Sequence, residues 1–300
     1  MLKNCIKSIQ EYTTGLDYEI IVVDNGSSDG SQPMLRREFP EVKLIETGEN
    51  LGFAKGNNIG IRAAKGDFIL ILNSDTYILE NAFPPWVEFL QNKQDAAGAI
   101  CRTEGTDGER QISYVRFPTI FSEWLFFSTV MLSPWQLMIP RSKYMLDADP
   151  EKVRVVDRIY GFAMMLRKEI IDQTEGFDEK FFLFYEDTEL CHRINKLTGK
   201  VFYYFPGARI VHIHGGSYLG AKTEQTRHVF RSACYFFHKS AGMRKAVLFK
   251  TATRFSWFFG FLALGVLNML TLGTKERIKK KLKTYRQLLT LRVDCLSGRS

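Results

Sequence analysis

The sequence predicts an α/β fold built on a mostly parallel central sheet. Short apolar runs at residues 19–23, 42–46 and 67–72 have the length and composition of strands. Helical stretches at residues 30–39 and 54–64 separate them. Strands that alternate with helices form parallel sheets through right-handed crossovers. Ligands bind such sheets beyond the carboxyl ends of the strands, so the polar residues after each run are the first candidates for a binding site.

The rest of the chain continues this pattern and then becomes helical. Predicted helices cover residues 2–12, 80–93 and 185–197, and predicted strands cover residues 97–101, 160–167, 200–205 and 209–212. Residues 117–140 are rich in aromatic side chains and interrupted by prolines, which fits either a packed helix pair or a flexible loop that faces an acceptor. The pattern is helical from residue 223 onward. We therefore expect one domain at 1–220 and a helical region at 221–300.

Composition and charge exclude several classes of protein. The 300 residues are 45% hydrophobic and 25% charged, which excludes a disordered chain, a collagen-like chain and a disulfide scaffold. The net charge of +8 is unevenly spread, because residues 1–220 hold 24 Lys and Arg against 30 Asp and Glu, whereas residues 221–300 hold 17 against 3. Five widely spaced cysteines without a C-x-x-C pair predict a reducing compartment and argue against a zinc cluster. The first ten residues lack the apolar run of a secretory signal, so we expect a cytosolic body.

The C-terminal region contains an apolar stretch between two basic clusters. Residues 255–274 carry no charge, and as a helix they would extend about 30 Å, enough to cross the hydrocarbon core of a bilayer. A single crossing would export the basic cluster at residues 275–283, against the positive-inside tendency. An interfacial or re-entrant helix keeps both clusters near anionic headgroups and is favoured over a spanning helix. A buried core or oligomer helix is a further alternative, and the basic cluster alone also fits a solvated face or, less well, nucleic-acid binding.

The first motif places a carboxylate at the end of a strand. The chain has no G-x-x-x-x-G-K-[ST] and no G-x-G-x-x-G after a strand, which disfavours P-loop and dinucleotide-binding proteins. Asp24 ends the first apolar run and opens the sequence D-N-G-S-S-D-G-S. Its carboxylate can accept hydrogen bonds from the ribose hydroxyls or base N–H groups of a nucleoside at the sheet edge. The alternative is a simple turn, for which Asn-Gly and Asp-Gly are strong signals.

Two further motifs follow the second and third apolar runs. Residues 50–58, N-L-G-F-A-K-G-N-N, begin a helix, where glycines and free N–H groups suit an anionic ligand. Gly52 and Gly56 alternatively permit tight helix packing. Asn73-Ser74-Asp75 follows the most apolar run, and one strand-end carboxylate with room for water and a diphosphate suits Mg²⁺ or Mn²⁺. The alternative there is an Asx turn.

An acidic pair and a pair of histidines complete the candidates. Glu186 and Asp187 lie in the first turn of a predicted helix, where acidic residues complement the helix dipole. The dipole lowers the pKa of a carboxylate, so a catalytic base there needs desolvation by neighbouring phenylalanines or a bound substrate. His212 and His214 face the same side of a strand end and suit a metal if the fold brings Asp75 to them. Paired core or turn histidines are the commoner alternative.

Taken in order, these motifs make the chain resemble the family 2 glycosyltransferases, and among them the rhamnosyltransferase-like bacterial members. The motifs are D-N-G-S-S-D-G-S, N-x-G-F-A-x-G-N-N, L-N-S-D, G-F-D-E-x-F-F-x-F-x-E-D-x-E-L-C-x-R and H-x-H-G-G-S. The resemblance runs from about Leu2 to Ser217. It implies the GT-A fold, a nucleoside-diphosphate sugar as donor, and inversion at the anomeric carbon.

The resemblance also implies a role for each matching residue. The nucleotide-binding residues would be Asp24, Asn25, Gly52, Ala54, Gly56, Asn57 and Ser74. The ligands of Mg²⁺ or Mn²⁺ would be Asp75, the single carboxylate of its turn, and His212, with His214 as a weaker match. Asp187 would be the general base, and Glu186 would orient the acceptor. The acceptor side would be formed by residues 161–167, beginning with Gly161 and Phe162, and by Tyr185.

One feature departs from the family. Relatives begin with a strand of the form V-S-x-I-I-V-T-Y-N, and this chain has no such strand before the helix at residues 2–12. That strand would lie beside residues 19–23, and each buried apolar side chain lost with it is worth about 1.5–3 kcal/mol. We therefore expect either a missed upstream start or a truncated chain.

The expected function is metal-dependent transfer of a sugar, with rhamnose as a candidate, in surface polysaccharide biosynthesis. The expected partners are a nucleoside-diphosphate sugar, a saccharide or polyprenyl-linked acceptor, and an anionic membrane surface at the cytoplasmic face of the plasma membrane; nucleic acid is not expected. A non-catalytic remnant or assembly subunit is the alternative, favoured by the missing strand. A sugar-phosphate nucleotidyltransferase is disfavoured because no Gly-rich loop with Arg or Lys lies near the start.

Overall fold

The computed structural model describes residues 1–129, 149–213, 222–272 and 274–296. The chain divides into two compact units. The first unit comprises Met1–Phe117, Tyr144–Phe182 and Glu186–Leu219, and the second comprises Pro118–Lys143, Leu183–Tyr185 and Gly220–Ser300. The second unit thus takes two segments from within the predicted 1–220 domain.

The described residues form strands and helices that alternate through the first unit. The strands are β1 (Ile21–Asp24), β2 (Lys43–Glu46), β3 (Phe68–Leu72), β4 (Thr76–Tyr77), β5 (Ala96–Glu104), β6 (Tyr114–Val115), β7 (Arg154–Val156), β8 (Arg158–Ile159), β9 (Ala163–Arg167) and β10 (Val201–His212). The helices are α1 (Leu2–Tyr12), α2 (Ser31–Glu38), α3 (Phe53–Ala63), α4 (Phe83–Asn92), α5 (Ile120–Thr129), α6 (Lys168–Gln173), α7 (Glu186–Thr198), α8 (Lys222–Ala241), α9 (Met243–Leu270) and α10 (Glu276–Leu289). This alternation confirms the predicted α/β class.

The main sheet of the first unit has the strand order β3-β9-β5-β10-β4, and β7 also pairs with β10. β5 and β10 are parallel, whereas β9 runs antiparallel to both β3 and β5. The strands β3, β5 and β10 therefore share one direction. β1 and β2 form a separate parallel pair. Among the described residues, β1 pairs with one strand, β2, and β3 pairs with one strand, β9. The further strand expected beside residues 19–23 therefore stays a prediction.

Two predicted boundaries were wrong. The two strands expected at 200–205 and 209–212 are one strand, β10, whose register shifts between Phe205 and Arg209 around a Pro-Gly pair. The strand expected at 160–167 is divided into β8 and β9, because residues 160–162 turn toward the site described below. The apolar stretch expected at 255–274 belongs to a longer helix, α9, that begins at Met243 and ends at Leu270.

The core of the first unit lies on both faces of the sheet. Alternate residues of β3 and β9 point to opposite faces, so Ile69 and Ile71 pack in one cluster while Leu70 and Leu72 pack against the other. Helices α3, α6 and α7 cover the first face, and α1 and α4 cover the second. This α/β/α layering fixes the strand ends that carry the candidate site.

The second unit is helical where it is described. α5 covers the start of the aromatic stretch predicted at 117–140, and residues 130–140 lie outside the described residues. α9 packs one face against its neighbours, with Phe249 on Phe230 and Trp257 donating a hydrogen bond to the Phe127 carbonyl. By length and composition α9 is able to cross a membrane. The five cysteines of the chain are buried thiols.

Candidate active site

Asp75 and His212 are brought together by the pairing of two strands. β4 begins at Thr76, directly after the turn that carries Asp75, and Thr76 lies opposite His212 in the antiparallel pair of β4 and β10. The carboxylate oxygen Oδ1 of Asp75 lies 3.4 Å from Nε2 of His212, and both side chains are buried. The predicted condition for a metal site, that the fold join these two residues, is met in the structure.

The imidazole of His212 is held on its face and on its edge. The Phe162 ring stacks on it with centroids 4.4 Å apart and planes inclined by 6°. On the edge, Nδ1 lies 3.0 Å from Oε1 of Gln111, and the Gln111 amide nitrogen donates to the His212 carbonyl at 2.8 Å. The ring has one fixed orientation, with Nε2 toward Asp75.

Asp187 is fixed from three directions at the start of α7. Its Oδ1 accepts hydrogen bonds from the backbone N–H of Thr188 at 2.6 Å and from the Thr188 hydroxyl at 3.1 Å. Nη1 of Arg158 lies 3.6 Å from the same oxygen. Its Oδ2 accepts a hydrogen bond from the backbone N–H of Gly161 at 3.2 Å. Asp187 as a whole residue is 8% exposed, so its carboxylate is largely shielded from water.

The buried position of Glu186 changes its protonation. Burial raises the pKa of the Glu186 carboxyl to about 8, and the negative charge of Asp187 adds to this effect. At neutral pH Glu186 is therefore mainly protonated. The guanidinium of Arg158, 3.6 Å from Oδ1 of Asp187, opposes this rise.

The residues before the acidic pair have strained backbone. Phe184 and Tyr185 both have φ of 67°, in the left-handed region that bulky residues rarely adopt. Tyr185 lies in the second unit, where its hydroxyl donates to Oε2 of Glu123 at 2.6 Å. Strain of this kind costs about 1–3 kcal/mol per residue and is concentrated at functional sites.

Residues Gly161 and Phe162 connect the acidic pair to the Asp75–His212 pair. The Gly161 N–H binds Asp187, while the next residue stacks on His212 and accepts a hydrogen bond from the Asn73 N–H through its carbonyl at 2.8 Å. A side chain at position 161 would lie 3.2 Å from the ring of Phe53. The Glu186–Asp187 pair, the Asp75–His212 pair and the start of α3 thus all lie beside the dipeptide Gly161–Phe162.

Asp24 ends β1 with a carboxylate that is kept ionised. Burial opposes its ionisation, but hydrogen bonds from Ser27 and Gln32 outweigh burial and hold the pKa of Asp24 below its usual value. The contact from Gln32 Nε2 to Oδ2 is 2.5 Å. The predicted simple turn and the predicted nucleoside-binding carboxylate are both compatible with this arrangement.

Asn25 joins the first two motifs to each other. Its Oδ1 accepts the N–H of Leu51 at 2.8 Å, and its Nδ2 donates to the Gly52 carbonyl at 3.1 Å. Gly52 has φ of 84°, and a Cβ there would lie 2.6 Å from the carbonyl oxygen of Phe182. The amide of Asn25 and the conformation of Gly52 therefore hold loops together in this structure.

The remaining predicted nucleotide-binding residues occupy varied positions. Ala54 is fully buried in the core, and Asn57 donates to the Phe53 carbonyl within α3. A Cβ added at Gly56 would lie 3.5 Å from the amide nitrogen of Asn25, and Ser74 is exposed in its turn. His214 lies outside the described residues.

Three residues that contact Asp187 or His212 were not predicted from the sequence. Arg158 and Thr188 hold Asp187, and Gln111 holds His212. Thr188 could have been found from its place in the E-D-T sequence at the helix start. Arg158 and Gln111 are single polar residues far from their partners in sequence, so no periodicity or spacing marks them.

The side chains at Asp75 and His212 fit a small divalent cation. A carboxylate oxygen and an imidazole nitrogen, buried and 3.4 Å apart, are ligand types that Mn²⁺ or Mg²⁺ accepts, so Asp75 and His212 would be the residues that hold such an ion. The chemistry of this donor set matches the metal that the resemblance implies.

Comparisons with known proteins agree on one family. The sequence model for glycosyl transferase family 2 matches residues 1–173, more than half of the chain. The N-acetylglucosaminyl-diphospho-decaprenol L-rhamnosyltransferase of Mycobacterium tuberculosis is 24% identical over 210 residues, covering 64% of this chain and 66% of that protein. Rhamnosyltransferase WbbL of Escherichia coli is 27% identical over 203 residues, covering 65% of this chain and 72% of that protein. The chain thus spans just under two thirds of the mycobacterial relative.

A solved structure supports the fold independently. A mannosyltransferase of Pyrobaculum calidifontis, solved in complex with GDP-Man and Mn²⁺, superposes with a TM-score of 0.54 at 15% identity, covering 96% of this chain and 81% of that chain. At this identity the likeness concerns the fold, which is GT-A. With its fold, its strand-end acids and the matched family model, the chain belongs to glycosyl transferase family 2.

Proposed function

We propose that this protein transfers a sugar from a nucleoside-diphosphate sugar to a saccharide or lipid-linked saccharide acceptor, with inversion, in the synthesis of a surface polysaccharide. The rhamnosyltransferases among its relatives make a rhamnosyl donor the first choice. The observation that carries the proposal is the meeting of Asp187 and the Asp75–His212 pair at Gly161–Phe162. The relatives favour an enzyme over a non-catalytic subunit.

The donor would bind along the ends of β1 and β3. The ionised Asp24 accepts hydrogen bonds from the nucleoside, and Asn25 with Gly52 keeps the loop before α3 beside it. Asp75 and His212 would hold Mg²⁺ or Mn²⁺, which neutralises negative charge on the leaving diphosphate when bound. Ser74, exposed in the same turn, lies next to this position in sequence.

Asp187 would take the proton from the acceptor hydroxyl. Its Oδ1 is occupied by Thr188 and Arg158, whereas Oδ2 accepts the single N–H of Gly161 and has a lone pair for the proton. The protonated Glu186 would orient the acceptor by donating a hydrogen bond. One base is sufficient for a single displacement. Gly161 and Phe162 would line the acceptor side.

The second unit would bind the cytoplasmic face of the plasma membrane. The exposed face of α9 carries large apolar side chains, including Phe255, Phe258, Phe259 and Leu262. The opposite face packs within the unit, where Gly260 lets the Tyr285 hydroxyl of α10 approach closely. Because α10 carries exposed lysines, a spanning α9 would draw those charges toward the hydrocarbon. We therefore favour α9 lying in the interface over a spanning helix.

A donor screen tests the proposal. The full-length protein is incubated with UDP-, GDP- and dTDP-linked sugars and Mn²⁺, and release of the nucleoside diphosphate is measured with and without polyprenyl-linked saccharides. We expect metal-dependent release from one donor class, increased by acceptor. Asp75→Asn should require a higher Mn²⁺ concentration for the same rate. If no donor is consumed and none raises the Tm, the proposed function is wrong.

A further inference from the structure

We propose that Gln111 is a positioning residue that fixes the tautomer of His212, so that the lone pair of Nε2 faces Asp75. The use of that lone pair, to bind a metal ion, rests on the proposed function. The tautomer itself follows from hydrogen bonds within the described residues.

The orientation of the Gln111 amide is determined by the His212 backbone. A carbonyl oxygen accepts hydrogen bonds and cannot donate them, so the group 2.8 Å from the His212 carbonyl must be the NH₂ of Gln111. The Oε1 atom then faces Nδ1 of the same histidine, at 3.0 Å. The side chain of Gln111 thus makes hydrogen bonds to both the backbone and the ring of His212.

This orientation determines which ring nitrogen carries hydrogen. Oε1 of an amide is an acceptor, so Nδ1 must be the donor in this contact. The neutral imidazole is therefore the Nδ1–H tautomer, and Nε2 presents its lone pair 3.4 Å from Oδ1 of Asp75. A rotated ring would break the contact with Gln111 and the parallel stacking on Phe162.

Gln111 is itself fixed by the backbone around it. Its N–H donates to the Thr103 carbonyl at 2.8 Å, next to the bridge that pairs Glu104 with Arg110. The residue thus lies in a closed loop that leaves the end of β5, the parallel neighbour of β10. A substitution at position 111 changes direct contacts with His212 and does not alter the packing of the core.

The purpose of this contact is to prepare His212 for a metal. Histidines that bind metals usually donate their second ring N–H to an acceptor, and removing such an acceptor typically costs 10- to 100-fold in metal affinity. Here the acceptor is a neutral amide. The sequence gives no sign of this role, because Gln111 and His212 are 101 residues apart.

The test compares two substitutions of nearly equal size. Gln111→Met removes the acceptor, whereas Gln111→Glu keeps an acceptor facing Nδ1. Histidine ¹⁵N spectra, assigned with His212→Ala, report the tautomer of the full-length protein without metal. Titration with Mn²⁺ alone, followed by broadening of the His212 ring signals, reports metal binding.

We expect His212 to be the Nδ1–H tautomer in the wild-type protein and in Gln111→Glu, and a tautomer mixture in Gln111→Met. Gln111→Met should need at least tenfold more Mn²⁺ for half-maximal broadening, and Gln111→Glu should stay within about threefold of wild type. A wild-type Nε2–H tautomer, or an unchanged tautomer and Mn²⁺ affinity in Gln111→Met, would overturn the proposal. The tautomer measured in the wild-type protein tests the proposal even if a variant fails to fold. A correct tautomer without Mn²⁺ broadening would instead count against the proposed metal site and against the purpose of the contact.

Discussion

The carboxylate of Asp187 is held through contacts to both of its oxygens. Thr188 and Arg158 hold one oxygen, and the Gly161 N–H aligns the other without filling it. Glu186, the neighbouring residue, is also a carboxylic acid, but its surroundings raise its pKa. Burial keeps Glu186 mainly protonated at neutral pH.

The raised pKa of Glu186 predicts a pH-dependent stability. In the unfolded chain a glutamate has a pKa of about 4.3, so between about pH 4.5 and pH 8 the folded protein binds more protons. The contribution of Glu186 to stability is therefore complete at low pH and declines as pH rises to about 8, by at most about 1.4 kcal/mol per pH unit. Glu186→Gln should remove this decline, so its Tm relative to wild type should increase from pH 5 to pH 8.

Glu88→Gln, at an exposed position of α4, serves as the matched control for that series. Its Tm difference from wild type should not depend on pH. Parallel Tm curves for Glu186→Gln and wild type from pH 5 to pH 8 would show that Glu186 is ionised in the folded protein.

The sequence placed Asp75 and His212 at strand ends, and their roles stay predictions. Asp75 and His212 were expected to meet only if the fold joined them, and the register of β4 and β10 does so. Arg158 and Gln111 could not be predicted, because Arg158 lies on a two-residue strand and Gln111 in a loop, and no sequence pattern specifies the position of either.

At the scale of the elements, the loop before α3 predicts a contrast between two glycines. Gly52→Ala introduces strain at φ 84° and a Cβ 2.6 Å from the Phe182 carbonyl oxygen, so it should destabilise the fold by about 1–3 kcal/mol or more. Gly56 lies inside α3, where a Cβ would meet Asn25 at 3.5 Å. Gly56→Ala should therefore be neutral or stabilise by up to about 1 kcal/mol. Urea unfolding measures both, and equal losses for the two variants would show that the close contact with Phe182 is not structural.

The elements themselves were largely predictable from periodicity. β3 alternates between the two faces of the sheet, and the apolar run that predicts it is unbroken. The prediction was wrong at β10, because Pro206 and Gly207 are typical of a turn and here form a bulge in a strand that continues. Tertiary pairing with β5 keeps that strand intact.

At the scale of the whole molecule, the uneven charge predicts where the protein binds. Most of the excess positive charge lies in residues 221–300, beside the exposed apolar face of α9. Each basic residue near an anionic surface contributes about 1 kcal/mol, and buried aromatic side chains contribute more. We expect the protein to float with phosphatidylglycerol vesicles and much less with phosphatidylcholine vesicles.

Replacing Phe258, Phe259 and Leu262 by serine should reduce binding to the anionic vesicles by at least tenfold. These residues are 46%, 55% and 46% exposed, so the substitutions also remove some packing, and the Tm of the triple variant is measured to confirm that it is folded at the temperature of the flotation assay. Raising the salt concentration should weaken binding of the wild type through the basic residues. Undiminished flotation of the triple variant would mean that α9 does not form the binding surface.

We propose that Asp187 acts as the base of a metal-dependent sugar transfer. A single comparison tests this role: the transfer rates of wild type and Asp187→Asn at saturating donor and Mn²⁺, with donor binding of each followed by calorimetry. We expect Asp187→Asn to bind the donor within about threefold of wild type and to transfer sugar 10²- to 10⁴-fold more slowly. Transfer by Asp187→Asn at the wild-type rate would show that Asp187 is not the base.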